Sequence, residues 1–137
     1  MYKFSSASQR RLETTDKRIQ QIMNRAIMYS PIDFGIPQYG GKRDGVEQNE
    51  LFKAGKSKLD GFTKKSKHQT GLAIDVFAYI DGKASWEKEY YFILAGVIMS
   101  SAKQLGYELR WGGCWAMDWK FNEEGFMDYV HWELINV

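Results

Sequence analysis

The stretch that decides the fold is Ser66-Lys67-His68-Gln69-Thr70-Gly71-Leu72-Ala73-Ile74-Asp75. Here a polar loop is followed by a segment in which Leu72, Ile74 and Val76 alternate with Ala73, Asp75 and Phe77. This alternation predicts a strand over residues 72 to 79, with Asp75 on the face away from the aliphatic row. An imidazole, that of His68, therefore precedes a strand that carries a carboxylate on its second face.

Helices and further strands are expected on both sides of this stretch. Apolar residues at three-, four- and seven-residue spacing, with capping and stop residues, predict helices over residues 9 to 29, 44 to 53 and 85 to 105. Alternation and short apolar runs predict strands over residues 33 to 38, 107 to 111 and 129 to 135. This order predicts an α+β fold, one domain over residues 1 to 137, in which a small, mainly antiparallel sheet packs with helices.

Composition excludes several classes of protein. The 137 residues are 44% hydrophobic and 15% aromatic, which is typical of one globular domain. With 19 basic and 17 acidic side chains the net charge is only +2, so nucleic acid is not an expected partner. The longest apolar run, Tyr90 to Met99, has about half the length of a membrane-spanning helix, and no membrane insertion is expected. Cys114 is the single cysteine, which excludes an intramolecular disulfide and favours a small packed residue.

The two histidines are the residues most suited to chemistry. Neither His68 nor His131 lies in the apolar stripe of a predicted helix, and Asp128 precedes His131 by three residues. Two neutral imidazoles and one carboxylate suit Zn²⁺, and three protein ligands leave a fourth position for water. A carboxylate beside that open position can act as a general base. Ligand type alone leaves open the alternative that each histidine only makes hydrogen bonds or is solvated.

Three motifs resemble those of a known family. Ser66 to Asp75 matches the Ser-X-His-X-X-Gly-X-Ala-X-Asp signature of the zinc D-alanyl-D-alanine peptidase superfamily, the VanX and VanY type carboxypeptidases. The second half of the superfamily signature matches Asp128, His131 and Trp132. A third motif of the superfamily, which contains an arginine, is similar to Gly41 to Gln48. Within this superfamily the chain most resembles the phage endolysins that are L-alanyl-D-glutamate peptidases.

The resemblance implies a metal site and a catalytic acid. His68, Asp75 and His131 would be the ligands of one Zn²⁺ ion, with water as the fourth ligand. Asp128 would take a proton from that water and pass it to the leaving amine. Glu133 stays open as a rival base, or as an acceptor that orients an imidazole, because alternation over 129 to 135 places it on the face of His131.

Two further residues receive substrate roles from the resemblance. Arg43 matches the arginine that faces the substrate carbonyl, where a fixed cation would stabilise the developing oxyanion. Ser66 matches a serine near the metal, with an expected hydrogen bond to substrate or to a ligand. A solvated surface arginine and a serine that only shapes its loop are the alternatives.

Two charged segments have more than one interpretation. The oxygen-rich loop Asp118 to Gly125 could bind a second ion, Ca²⁺, although its spacing favours a solvated acidic loop. Lys64, Lys65 and Lys67 could attract an anionic polymer, but a solvated loop is the simpler interpretation.

The resemblance implies a monomeric endolysin whose partner is bacterial peptidoglycan and which cuts the L-alanyl-D-glutamate bond of the stem peptide. Met1 to Ser6 lacks the apolar run of a secretory signal, so synthesis in the host cytoplasm is expected. Release to the periplasmic cell wall would then need a separate pore-forming protein. A D-alanyl-D-alanine carboxypeptidase or dipeptidase on the same scaffold is one alternative. A non-catalytic, zinc-containing binding module for the cell wall is the other.

Overall fold

The computed structural model describes residues 1–121 and 125–137. The helices are α1 (Ser6–Leu12), α2 (Lys17–Tyr29), α3 (Gly45–Lys53), a 3₁₀ helix (Lys67–Thr70) and α4 (Lys88–Leu105). The strands are β1 (Asp33–Gly35), β2 (Ala73–Asp75), β3 (Phe77–Ile80), β4 (Lys83–Ser85), β5 (Leu109–Trp111) and β6 (His131–Leu134). The predicted α+β class is confirmed. Within the described residues, no helix combines the length and apolar character needed to span a membrane.

The strands form two three-stranded antiparallel sheets instead of the one sheet expected. Their orders are β1-β3-β4 and β2-β6-β5. The strand predicted over residues 72 to 79 is divided at Val76, because backbone partners change there. The Asp75 amide donates to the Gly40 carbonyl at 2.8 Å and the Val76 amide to the Val130 carbonyl at 3.0 Å. The chain therefore passes from one sheet to the other immediately after Asp75.

The helix predicted over residues 9 to 29 is interrupted between α1 and α2. The Thr15 hydroxyl donates to the Leu12 carbonyl at 2.6 Å, a local bond that competes with helix continuation. Asp16 then caps α2, since its carboxylate accepts from the Arg18 amide at 2.9 Å. The Asp16 amide also donates to the Gly71 carbonyl at 2.9 Å, which ties this break to the loop that follows His68.

The core lies between the helices and one face of the β2-β6-β5 sheet. Helix α4 packs against α2, β3 and β5. Trp111 of β5 stacks on Trp132 of β6 with ring centroids 5.7 Å apart, and Leu134 is buried beside them. Because side chains alternate along a strand, His131 and Glu133 of β6 lie on the opposite face. One face of this sheet thus belongs to the core, and the other carries the titratable groups.

Candidate metal centre and active site

Three side chains from separate elements converge at the end of β2. The register of the sheet places Asp75 directly opposite His131, and the 3₁₀ helix places His68 beside both. His68 Nε2 lies 3.2 Å from Asp75 Oδ1 and 3.3 Å from His131 Nδ1. His131 Nδ1 lies 3.4 Å from Asp75 Oδ1, so the three atoms form a triangle. Bonds of about 2.0 to 2.1 Å put two ligand atoms of a tetrahedral zinc site about 3.3 Å apart. These three residues therefore have both the ligand types and the spacing of a metal site.

The remaining ring nitrogens of the two histidines contact acceptors. His68 Nδ1 lies 2.9 Å from the Gly41 carbonyl oxygen, and His131 Nε2 lies 2.9 Å from Glu133 Oε1. Each of these nitrogens must carry the hydrogen in order to donate to an oxygen. In the neutral form of each ring, the lone pairs of His68 Nε2 and His131 Nδ1 are then directed at the centre of the triangle, as metal binding requires.

The local sequence explains the position of His68. The hydroxyl of Ser66 accepts from the His68 amide at 3.2 Å, and the Gln69 side chain accepts from the Ser66 amide at 2.8 Å. This reciprocal capping starts the 3₁₀ helix, and Gly71 ends it at a φ of 76°. Ser66 lies in the cavity wall, but its hydroxyl serves the backbone, so its substrate contact stays a prediction.

Arg43 is buried in the structure and is not a solvated surface arginine. It is 8% exposed, and its guanidinium donates to Asp75 Oδ2 at 2.9 Å, to the Tyr39 carbonyl at 2.6 Å and to Gln48 Oε1 at 3.0 Å. Arg43 therefore fixes the carboxylate oxygen of Asp75 that does not take part in the triangle. Its predicted contact with a substrate carbonyl is not tested by these bonds and stays a prediction.

Asp128 is positioned by the backbone of Gly112. The Asp128 amide donates to the Gly112 carbonyl at 2.8 Å, and the His131 amide donates to the Asp128 carbonyl at 3.1 Å. A Cβ at Gly112 would overlap the Asp128 carbonyl, so only glycine permits this approach. Burial, and then the charge of Asp75, raises the pKa of Asp128.

The carboxylate of Glu133 is occupied by its neighbours. Oε1 contacts His131, and Oε2 lies 2.9 Å from Lys67 Nζ and 3.8 Å from Arg110 Nη1. Burial opposes ionisation of Glu133, but the hydrogen bonds of His131 and Lys67 lower its pKa to about 2. Glu133 is therefore a buried anion that orients His131.

The electrostatics of the triangle favour an ionised Asp75 beside a protonated His131. Burial alone would raise the pKa of Asp75, but the two neighbouring imidazoles hold it well below its usual range. Burial alone would lower the pKa of His131, yet hydrogen bonds to Asp75 and Glu133 raise it to about 9. An imidazole binds a metal only in its neutral form, so a divalent cation would have to displace the extra proton of His131, while the ionised Asp75 would attract the cation.

The triangle opens into a cavity of about 720 Å³. Asp128, Arg43 and Ser66 contribute to its wall, as do Trp115 and Phe126. The cavity is large enough for a short peptide segment.

Comparisons with known proteins identify relatives of this chain. A sequence model of the phage L-alanyl-D-glutamate peptidase family matches residues 1–135. The chain belongs to this family. It is 34% identical to the L-alanyl-D-glutamate peptidase of Escherichia phage T5, over 98% of each chain. The crystal structure of the Serratia marcescens L-Ala D-Glu endopeptidase ChiX superposes with a TM-score of 0.77 at 30% identity, covering 96% of this chain and 90% of that one.

Membership of the phage L-alanyl-D-glutamate peptidase family makes the chain a peptidase, and the resemblance seen in the three motifs is confirmed. Sequence reasoning gave no role to Gln48, which is fully buried and accepts from Arg43. Its position five residues after Arg43 in the third motif was the available signal. The suggested Ca²⁺ loop includes residues 122–124, which lie outside the described residues, so it stays a prediction.

Proposed function

We propose that this chain is a zinc-dependent endopeptidase that hydrolyses the L-alanyl-D-glutamate bond of peptidoglycan stem peptides, as a phage endolysin that lyses the host. The observation that carries the proposal is the triangle of His68, Asp75 and His131, which has zinc ligand spacing and opens into a cavity beside Asp128. The names of the similar proteins supply the bond. Action at the cell wall, as a one-domain monomer released by a separate pore-forming protein, belongs to the same proposal.

The metal site and the base have separate residues. A bound zinc ion would supply Lewis-acid chemistry for the attack of water on the scissile carbonyl. His68, Asp75 and His131 would hold the ion, and Glu133 would keep His131 in the tautomer whose lone pair faces it. Arg43 would hold Asp75 in place through the ion pair described above.

Asp128 is the proposed general base and then general acid. Its carboxylate would accept a proton from the attacking water and return it to the amine of the departing D-glutamyl residue. A pKa that burial raises from the ordinary aspartate value suits a group that must both accept and release a proton. Glu133 is less suited to this role, because His131 and Lys67 occupy its oxygens.

Digestion of purified peptidoglycan, followed by mass spectrometry of the new peptide ends, tests the proposal. We expect L-alanine carboxyl ends and D-glutamate amino ends, lost with a chelator and restored by zinc. Release of single D-alanine would instead support a carboxypeptidase. No cleavage by folded, zinc-loaded protein would support a non-catalytic binding module. Either of these two results would contradict the proposal.

A further inference from the structure

A wall of the cavity is formed by lysines that the proposed chemistry does not use. Lys56, Lys58 and Lys65 line it, and all three are exposed to the solvent in the cavity. The arginine and the other lysine of the lining already have carboxylate partners, since Arg43 pairs with Asp75 and Lys67 pairs with Glu133. Among the residues that the structure describes, no carboxylate lies within ion-pair distance of the three lysines. We name Lys56, Lys58 and Lys65 the lysine wall.

The loop that carries the lysine wall is fixed to the metal centre by hydrogen bonds. The Gln48 amide donates to Ser57 Oγ at 2.9 Å and to the Leu59 carbonyl at 2.8 Å. The Gln69 amide donates to the Gly61 carbonyl at 2.9 Å. Because Gln48 also accepts from Arg43, the loop, the arginine and the ligand Asp75 form one connected network. The cations are thus presented by an anchored segment beside the reaction site.

Lys58 contacts an aromatic residue of the cavity lining. Its ammonium lies 5.2 Å from the ring centroid of Phe126, whose carbonyl accepts from Trp115 Nε1 at 2.8 Å. The Trp115 ring in turn lies 5.7 Å from the ring of His131. This series of contacts places the Lys58 ammonium between the lysine loop and the wall that carries the aromatic residues and Asp128.

The proposed substrate carries a matching negative charge. A glutamyl residue inside a peptide uses one of its two carboxyl groups to continue the chain, so the other stays free as a carboxylate. An unpaired ammonium facing such a carboxylate forms a charge-assisted hydrogen bond, which is stronger than a bond between neutral groups. We propose that the lysine wall, with Lys58 as its central cation, binds the free carboxylate of the D-glutamyl residue and so selects L-alanyl-D-glutamate bonds. This inference rests on the proposed function and specifies the recognition of its substrate.

Matched synthetic peptides test this inference. One peptide contains an L-alanyl-D-glutamate bond with the free D-glutamyl carboxylate, the second has that carboxylate as a primary amide, and both have an amidated carboxyl terminus. A third peptide has the D-glutamyl amide and a free carboxyl terminus, which distinguishes a terminal carboxylate from that of D-glutamate. The readout is the ratio of kcat/KM for acid and amide peptides with zinc-loaded protein.

We expect the wild type to favour the acid peptide about tenfold over both amide peptides, the effect of one hydrogen bond between charged groups. Lys58→Met should lower this ratio, whereas Lys58→Arg, which keeps the positive charge, should retain it. A variant with all three lysines of the lysine wall replaced by methionine should have a ratio close to one. Lys83→Met, an exposed lysine of β4 outside the cavity lining, is the control and should keep the wild-type ratio. Melting temperatures verify that each variant is folded.

Two results would overturn the inference and leave the proposed function intact. One is equal cleavage of the acid and amide peptides by the wild type. The other is a folded triple variant that keeps the wild-type ratio. A preference for the free carboxyl terminus of the third peptide would move the lysine wall to recognition of a peptide end, which also contradicts the inference. Cleavage of none of the three peptides by zinc-loaded protein would overturn the proposed function, and the inference with it.

Discussion

Replacing Glu133 by glutamine separates metal binding from proton transfer. The change keeps the shape of the side chain and an acceptor for His131 Nε2, at present 2.9 Å away. It removes the negative charge, and an amide group would then face the Lys67 ammonium, which now lies 2.9 Å from Oε2. Mutation of the side chain that orients a metal-binding histidine typically weakens metal affinity 10- to 100-fold, or about 1.4 to 2.7 kcal/mol. We expect Glu133→Gln to bind zinc more weakly by this factor and to recover most activity at saturating zinc.

The assay is a zinc titration against a competing chelator, together with kcat measured at saturating zinc. Asp128→Asn is the contrasting variant. We expect it to bind zinc with the affinity of the wild type, but to have an activity reduced about 100-fold or more at every zinc concentration. Glu89→Gln, an exposed glutamate of α4, makes the same chemical change away from the site and should alter neither quantity. A Glu133→Gln protein with normal zinc affinity and no activity at saturating zinc would refute this reasoning and make Glu133 the base.

Three further perturbations follow from single contacts. Gly112→Ala should displace Asp128, because a Cβ would overlap its carbonyl, and activity assays with zinc analysis should show lost turnover with the metal retained. Ser66→Ala removes the cap of the 3₁₀ helix and should lower the free energy of unfolding by about 1 kcal/mol in denaturant titrations; an unchanged midpoint would contradict the capping role. The hydrogen bond from Arg18 lowers the pKa of Asp16, so this carboxylate stabilises the fold above its unfolded pKa near 4. The stability advantage of wild type over Asp16→Asn should therefore be present at pH 6 and decrease in thermal melts as the pH is lowered below the unfolded pKa and through the lower folded pKa.

The convergence of His68, Asp75 and His131 was predictable, because the three residues belong to motifs that resemble those of a known family. His68 and Asp75 share one short stretch, so the 3₁₀ helix and β2 bring them together locally. His131 lies beside them because β6 pairs with β2. No local pattern in the sequence predicts this pairing, and His131 was identified from the second motif of the family. Alternation along β6 also predicted that Glu133 shares a face with His131, and their contact follows from that face.

Other features depend on tertiary partners that no local pattern specifies. The alternation around Val76 continues without interruption, but the backbone partner of the strand changes there, so one predicted strand becomes two. The break before α2 had a local signal in Thr15 and Asp16, which the apolar periodicity of the surrounding residues obscured. The burial of Arg43 depends on Gln48 and the Tyr39 carbonyl, whose approach is set by the packing of α3 and the preceding loop.

The most direct test of the account is anomalous X-ray diffraction at the zinc edge from crystals of the zinc-loaded protein. The account predicts one peak in the triangle, about 2.0 to 2.2 Å from His68 Nε2, His131 Nδ1 and an oxygen of Asp75, with Glu133 and Asp128 outside bonding distance. A zinc ion bound instead by Glu133 or Asp128, or the absence of a peak between the three residues, would contradict it.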